Sequence, residues 1–124
     1  CSNDAMQYAV LEAMEKANDY PDMMAREFQS RCDLIVDRLN AMPGVECHRP
    51  KGSIYVFPKV TVAGLTSEDL ALELLKDGVL CSPGSAFGPS GEGHLRFAYT
   101  ISQADISRGM DKVESTLKRL MQAA

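Results

Sequence analysis

The sequence contains no tryptophan, and aromatic residues make up only 6% of its 124 positions. Long apolar runs are missing too. The longest, Ile54-Tyr55-Val56-Phe57, has the length of one buried strand, against the ~20 residues that a membrane-spanning helix needs. There is no excess of positive charge: 13 bases against 17 acids leave a net charge of −4. A surface of that sign does not attract phosphate backbones, so nucleic acid is disfavoured as a partner. Histidine is scarce and Cys-x-x-Cys pairs are absent. His48 and His94 have neither ligand spacing to a cysteine nor a nearby Ser or Cys nucleophile, which argues against zinc and against a hydrolytic triad. The four cysteines, Cys1, Cys32, Cys47 and Cys81, are too scattered to read as a disulfide framework, and the last three read as small buried hydrophobes. No basic region followed by an apolar segment opens the chain, so no secretory signal is expected and a reducing cytosol is the default. The start at Cys1-Ser2, without an initiator Met, suggests a fragment.

What is present is the make-up of an ordinary soluble domain, 45% hydrophobic and 24% charged. Folding at this size hides roughly two-thirds of the chain's surface, enough for one independent core. Asn3 or Ser2 can cap a first helix running to about Lys16, with Met6, Val10, Ala13 and Met14 along one side. After the break at Asn18-Asp19-Tyr20, Pro21 suits the first position of a second, long helix. Its apolar face is Met24, Phe28, Cys32, Ile35, Leu39 and Met42, and Pro43-Gly44 stops it. The period then changes to two. Val45–His48 and Ser53–Pro58, joined by Arg49-Pro50-Lys51-Gly52, read as a hairpin. Thr66 and Asp69 form a capping box for a third helix, whose stripe is Leu70, Ala71, Leu74 and Leu75. Strands are expected at Val79–Cys81 and Leu95–Thr100. Ser102 and Asp105 then cap a last helix with Ile106, Met110, Val113, Leu117, Leu120 and Met121 inward. The order α-α-β-β-α-β-β-α predicts an α+β, two-layer sandwich. Its sheet should be mostly antiparallel, with three or four strands and the helices packed on one face.

The segment Cys81–Tyr99 carries most of the chemistry. Gly84, Gly88, Gly91 and Gly93 permit positive φ and close approach of a ligand to the backbone. A phosphate-binding P-loop does not fit, because no Lys-Ser/Thr pair follows and a strand stands where a helix should begin. The plain alternative is a long hairpin loop. Alternation places Leu95, Phe97 and Tyr99 on one strand face and Arg96, Ala98 and Thr100 on the other. If that second face is covered, Arg96 must meet an anion, since an unpaired buried guanidinium is prohibitively costly. Its planar fork suits a bidentate carboxylate, supplied either by a ligand or by one of the chain's own acids.

Three ordered blocks, Pro50-Lys51-Gly52-Ser53-Ile54-Tyr55-Val56-Phe57-Pro58, Pro83-Gly84-Ser85-Ala86-Phe87-Gly88 and Gly91-Glu92-Gly93-His94-Leu95-Arg96-Phe97-Ala98-Tyr99, follow at characteristic spacing. Together they resemble the C-terminal small domain of class I/II pyridoxal-phosphate aminotransferases, the aspartate aminotransferase superfamily of fold type I. The likeness covers nearly the whole chain. It implies that residues 1–124 form that small domain, as a fragment lacking the large cofactor-binding domain. Arg96 falls on the Arg that binds the substrate α-carboxylate. Pro83, Gly84, Ser85, Phe87 and Gly88 fall on the loop at the active-site mouth, and Tyr55 and Gly52 on the strand and turn near its entrance. The Schiff-base lysine and the cofactor's phosphate donors belong to the large domain. No catalytic residue and no metal are therefore expected here, and pyridoxal phosphate is expected only in the intact parent. That parent would be a cytoplasmic homodimer acting on an amino acid and a 2-oxo acid, with no membrane or nucleic-acid partner. Ser115-Thr116-Leu117-Lys118 spells Ser-x-x-Lys, but it follows the Arg and reads as a solvated helix face. Two other readings stand beside the transaminase. One is a C–S lyase or aminocyclopropane-carboxylate synthase relative, which would share the carboxylate Arg. The other is a stand-alone module that binds a carboxylate or a protein partner.

Overall fold

The computed structural model of the chain describes residues 3–17 and 19–123. The expectations placed on Cys1, Ser2 and Asn18 lie outside the described residues. Four helices and five short strands follow in the order α1 (Asp4–Lys16), α2 (Tyr20–Asn40), β1 (Val45–Glu46), β2 (Tyr55–Val56), β3 (Lys59–Val60), α3 (Ser67–Lys76), β4 (Ser82–Pro83), β5 (Leu95–Ala98) and α4 (Gln103–Ala123). Two 3-10 turns, Gly84–Phe87 and Pro89–Gly91, separate β4 from β5.

Local chemistry sets the helix ends. The Asn3 side chain accepts from the Met6 N–H at 2.9 Å, and Pro21 sits in the first turn of α2. The capping box of α3 is complete: Thr66 Oγ1 accepts from the Asp69 N–H while the Asp69 carboxylate accepts from the Thr66 N–H. Ser102 Oγ likewise accepts from the Asp105 N–H at the start of α4. Packing then selects among the faces. Cys32, Ile35 and Leu39 from α2, Leu70 and Leu74 from α3, and Ile106, Met110, Val113 and Leu117 from α4 close over Val56, Leu95, Phe97 and Tyr99. Helices therefore cover one face of the sheet. Thr116 is the buried polar group of α4, and its hydroxyl donates to Asp77 at 2.6 Å. Lys118 pairs with Glu114 on the helix surface, as expected of a solvated face.

All strand pairings are antiparallel, as predicted, but the partners differ from the expected hairpin. Val45–His48 does not pair with Ser53–Pro58. Instead β1 pairs with β3, placing Glu46 opposite Lys59, and β2 joins β5, placing Tyr55 opposite Ala98. The cause lies at Ser53, which takes φ +77° and accepts a hydrogen bond from the buried Tyr99 hydroxyl at 2.6 Å. That contact turns the chain toward β5. The strand expected at Val79–Cys81 begins instead at Ser82, which pairs with Arg96, so β5 is the central strand of β2-β5-β4. Cys47 is buried but outside any strand, held by Asn40, which exchanges two hydrogen bonds with its backbone. Cys81 is only half-buried.

One helix stripe also needs correction. Leu75 is half-exposed, because the inward face of α3 is set by Leu70 and Leu74. In α1 no residue is buried: Met6, Val10 and Met14 face outward along with Tyr8 and Leu11. Among the described residues, no helix is long and apolar enough to cross a membrane.

Candidate functional site

Alternation along β5 decides what faces away from the helices. Leu95, Phe97 and Tyr99 are buried, while Arg96 is half-buried on the opposite face. The neighbouring strands furnish its surroundings. Tyr55, from β2, places its ring 4.4 Å from the Arg96 guanidinium carbon. Phe87, from the first 3-10 turn, places its ring at the same 4.4 Å. Ser82, directly opposite Arg96 in register, accepts a hydrogen bond from Nη2 at 3.3 Å. Among the described residues, no carboxylate pairs with Arg96, so the internal ion pair left open by the sequence is not formed.

The two rings do more than fill space. A guanidinium is weakly hydrated on its faces and donates only through its edge, so aromatic contacts occupy the faces and leave the in-plane N–H groups available. Such a fork takes a carboxylate by two parallel hydrogen bonds. Further along the same face, Phe57 meets Phe87 edge-on at 5.9 Å and stacks on His94 at 5.1 Å. On this exposed face the Tyr55, Phe87, Phe57 and His94 rings thus form a row beside Arg96.

The loop between β4 and β5 is built by close backbone contact. Gly84 donates to the His94 carbonyl at 2.8 Å. A Cβ on Gly84 would lie 2.0 Å from the Gly91 carbonyl oxygen, and a Cβ on Gly91 would lie 2.0 Å from that of Gly84. Gly88 at φ +113° joins the two turns. Ser85 donates its N–H to Ser67 Oγ, and its hydroxyl to Glu68. Glu92 accepts from Ser67 through both oxygens, at 2.7 Å from the N–H and 2.9 Å from the hydroxyl. The Ser67 N–H first, then its hydroxyl, hold the Glu92 carboxyl below its ordinary value.

Of the residues singled out in the sequence, the fold thus brings Arg96, Tyr55 and Phe87 into contact. Pro83, Gly84, Ser85 and Gly88 shape the loop behind them. Gly52 lies on an exposed turn, and a Cβ there would meet nothing within 4 Å. Sequence reasoning missed Ser82, whose signal is its register opposite Arg96, and Glu92, whose signal is an acid set between two loop glycines. A groove of about 600 Å³ is lined by residues including Leu80, Phe97, Ile101 and Met110 and does not include Arg96. Of its three charged lining residues, Asp105 and Arg108 are joined in an ion pair and Lys112 is the third.

The sequence profile of the family described as "Aminotransferase class I and II" matches residues 1–113. The chain belongs to that family. It is 36% identical over 121 residues to an aromatic-amino-acid aminotransferase 2 of Thermococcus litoralis, covering 95% of this chain and 31% of the relative. It is 35% identical over 116 residues to an aspartate aminotransferase of Pyrococcus horikoshii, covering 91% and 30% respectively. Among solved structures, an alanine aminotransferase from Pyrococcus furiosus superposes with a TM-score of 0.89 at 30% identity, covering 96% of this chain and 31% of that one. The chain therefore spans about three-tenths of the length of the aminotransferases it matches, and within that span it has their α+β fold.

Proposed function

We propose that residues 1–124 are the small domain of a pyridoxal-phosphate-dependent aminotransferase in which Arg96 anchors the substrate α-carboxylate. The observation that carries this reading is the guanidinium against the Tyr55 and Phe87 rings, with no acid among the described residues pairing with it. An amino acid or 2-oxo acid presents the matching group, and binding it by two hydrogen bonds fixes the orientation of its Cα. The apolar surface of α1, where Met6, Tyr8, Val10, Leu11 and Met14 are all exposed, supports a chain that works as part of a larger protein. In this reading the enzyme is a cytoplasmic homodimer.

The family's cofactor supplies the electron sink for amino-group transfer when it is bound. The residues around Arg96 do not make a site for it. Among the described residues they offer one guanidinium, the Ser82 and Tyr55 hydroxyls and ring faces, but no lysine amine for a Schiff base and no set of N–H donors for a phosphate. Lys16, Lys76 and Lys118 are engaged by glutamates on their own helices. In this reading the cofactor is held by residues outside this chain, and the 124-residue chain alone should not transaminate.

Arg96→Lys in the longer enzyme tests the assignment. It keeps the charge and removes the fork, a loss of about 1.5–3 kcal/mol of carboxylate recognition. That is roughly ten- to a hundredfold in kcat/KM for the amino acid, with cofactor affinity unchanged. An amine substrate without the carboxylate should be nearly indifferent. Equal losses for both substrates would refute the role.

A further inference from the structure

Phe87 is half-exposed, and its recorded ring contacts are with Phe57 and Arg96. Core packing therefore does not place it. Its position is set by the 3-10 turn Gly84–Phe87 that carries it, so what holds that turn also sets one wall of the arginine clamp. The holding contacts converge on Ser67, the first residue of α3, which is 0% exposed. Ser67 Oγ accepts from the Ser85 N–H at 3.3 Å, within the turn, and donates to Glu92 Oε2 at 2.9 Å. Glu92 Oε1 takes the Ser67 N–H at 2.7 Å, one of the first-turn donors that an α-helix leaves without an internal partner. Both ends of the glycine-rich loop are thereby tied to one buried serine. From there the path runs through Ser85 to Phe87, and from the Phe87 ring to the guanidinium.

We infer that Glu92 is a positioning residue for the carboxylate site: its bidentate grip on Ser67 fixes the loop so that Phe87 closes on Arg96 and holds the fork in plane. This rests on Arg96 being the carboxylate anchor. Glu92 touches neither Arg96 nor any group that would meet substrate, so its effect must pass through the loop. The hydrogen bonds from Ser67 also favour the ionised form of the acid.

The test uses the longer enzyme that carries this segment. It measures Kd for 3-phenylpropionate, a carboxylate with no amino group to react, together with the melting temperature. Glu92→Ala should weaken the probe about three- to tenfold, the size of effect expected for coupling through a packed contact. Glu92→Gln should stay within about twofold, because its amide can still accept from the Ser67 N–H and donate to the hydroxyl. Thr116→Ala, which removes the buried bond to Asp77, controls for stability: it should lower the melting temperature and leave Kd unchanged. In a Phe87→Ala background, Glu92→Ala should add less than about twofold, since the two act in series. Should Glu92→Ala not fold, Ser67→Ala decides by the same Kd measurement. Arg96→Lys separates the two claims. If it weakens the probe while the Glu92 or Ser67 variant leaves Kd within twofold, the positioning role is wrong and the anchor stands. If Arg96→Lys leaves Kd unchanged, the anchor itself is wrong and the role of Glu92 falls with it.

Discussion

Gly84→Ala should be among the most damaging single changes in this chain, although it adds one methyl group. Gly84 is buried where the two 3-10 turns cross, and the new Cβ would stand 2.0 Å from the Gly91 carbonyl oxygen and 2.7 Å from that of His94. Ordinary carbon–oxygen approaches are about 3.3 Å or longer, so backbone must move by roughly 1 Å. Both atoms in the way are main chain, and no side chain can swing aside. Moving them stretches the Gly84 N–H bond to His94, now 2.8 Å. Overpacking costs about 1–3 kcal/mol, and a lost backbone hydrogen bond about 0.5–1.5 kcal/mol more. A sum of roughly 2–4 kcal/mol corresponds to a fall of about 8–16 °C in melting temperature for a domain of this size. Gly52→Ala is the matched control, since its Cβ meets open space and it should melt within about 2 °C of the parent or slightly above. Thermal denaturation followed by circular dichroism reads both. If Gly84→Ala melts with Gly52→Ala, the loop does not cross as described, and the placement of Phe87 on Arg96 goes with it.

Two further outcomes concern titration. Asp69, Glu73, Asp77, Glu92 and Glu114 are all held below their ordinary values by hydrogen bonds, first from Thr66, Lys76, Thr116, Ser67 and Lys118 respectively. The unfolded chain therefore takes up protons first, and their stabilisation is full above the ordinary values of 3.8 to 4.5 and is lost as pH falls below them through the lowered folded values. The urea midpoint should hold from pH 6 to about pH 5 and then fall as pH drops toward 3 and below, and a flat profile over that lower range would contradict these contacts. Burial pushes the Cys47 and Cys81 thiols up from 9.0 to about 11. Both should resist iodoacetamide at pH 8 in the native chain and react in urea, while their protonated form stops stabilising the fold as pH rises through about 11. Mass spectrometry of the labelled sites would show it.

Helices were legible because their signals are local. Thr66 with Asp69 and the 3.6-period stripes of α2 and α4 need no knowledge of the rest of the chain. Strand partners were not, since a two-residue strand has no pattern of its own and pairing is decided at long range. Arg49-Pro50-Lys51-Gly52 has the composition of a hairpin turn, yet Ser53 at positive φ, bound by Tyr99 from 46 residues away, sends the chain to β5. Leu75 failed for a related reason: hydrophobicity marks what could be buried, and the neighbour decides what is. At the candidate site, Arg96 stood out because a charge in mid-strand demands an explanation. Ser82 and Glu92 did not, because a serine and a loop glutamate are ordinary on a surface until their partners are known.

The same alternation that builds the core also aims the arginine. With Leu95, Phe97 and Tyr99 buried against the helices, a one-residue slip of β5 would put Arg96 inside and expose three large apolar side chains. The burial that stabilises the sheet therefore fixes which way the guanidinium points. Tyr99 carries this coupling one step further. Its ring lies in the core beside Phe28, while its hydroxyl holds Ser53, two residues before the Tyr55 ring that flanks Arg96. On the other side, Ser67 is buried at the head of α3 and holds the turn that ends in Phe87. Each ring beside Arg96 is thus anchored through a buried polar contact, while the half-buried guanidinium donates from Nη2 to Ser82. A carboxylate reaching the guanidinium edge meets a fork whose orientation is set by the fold rather than by the ligand, which is what preorganised recognition requires.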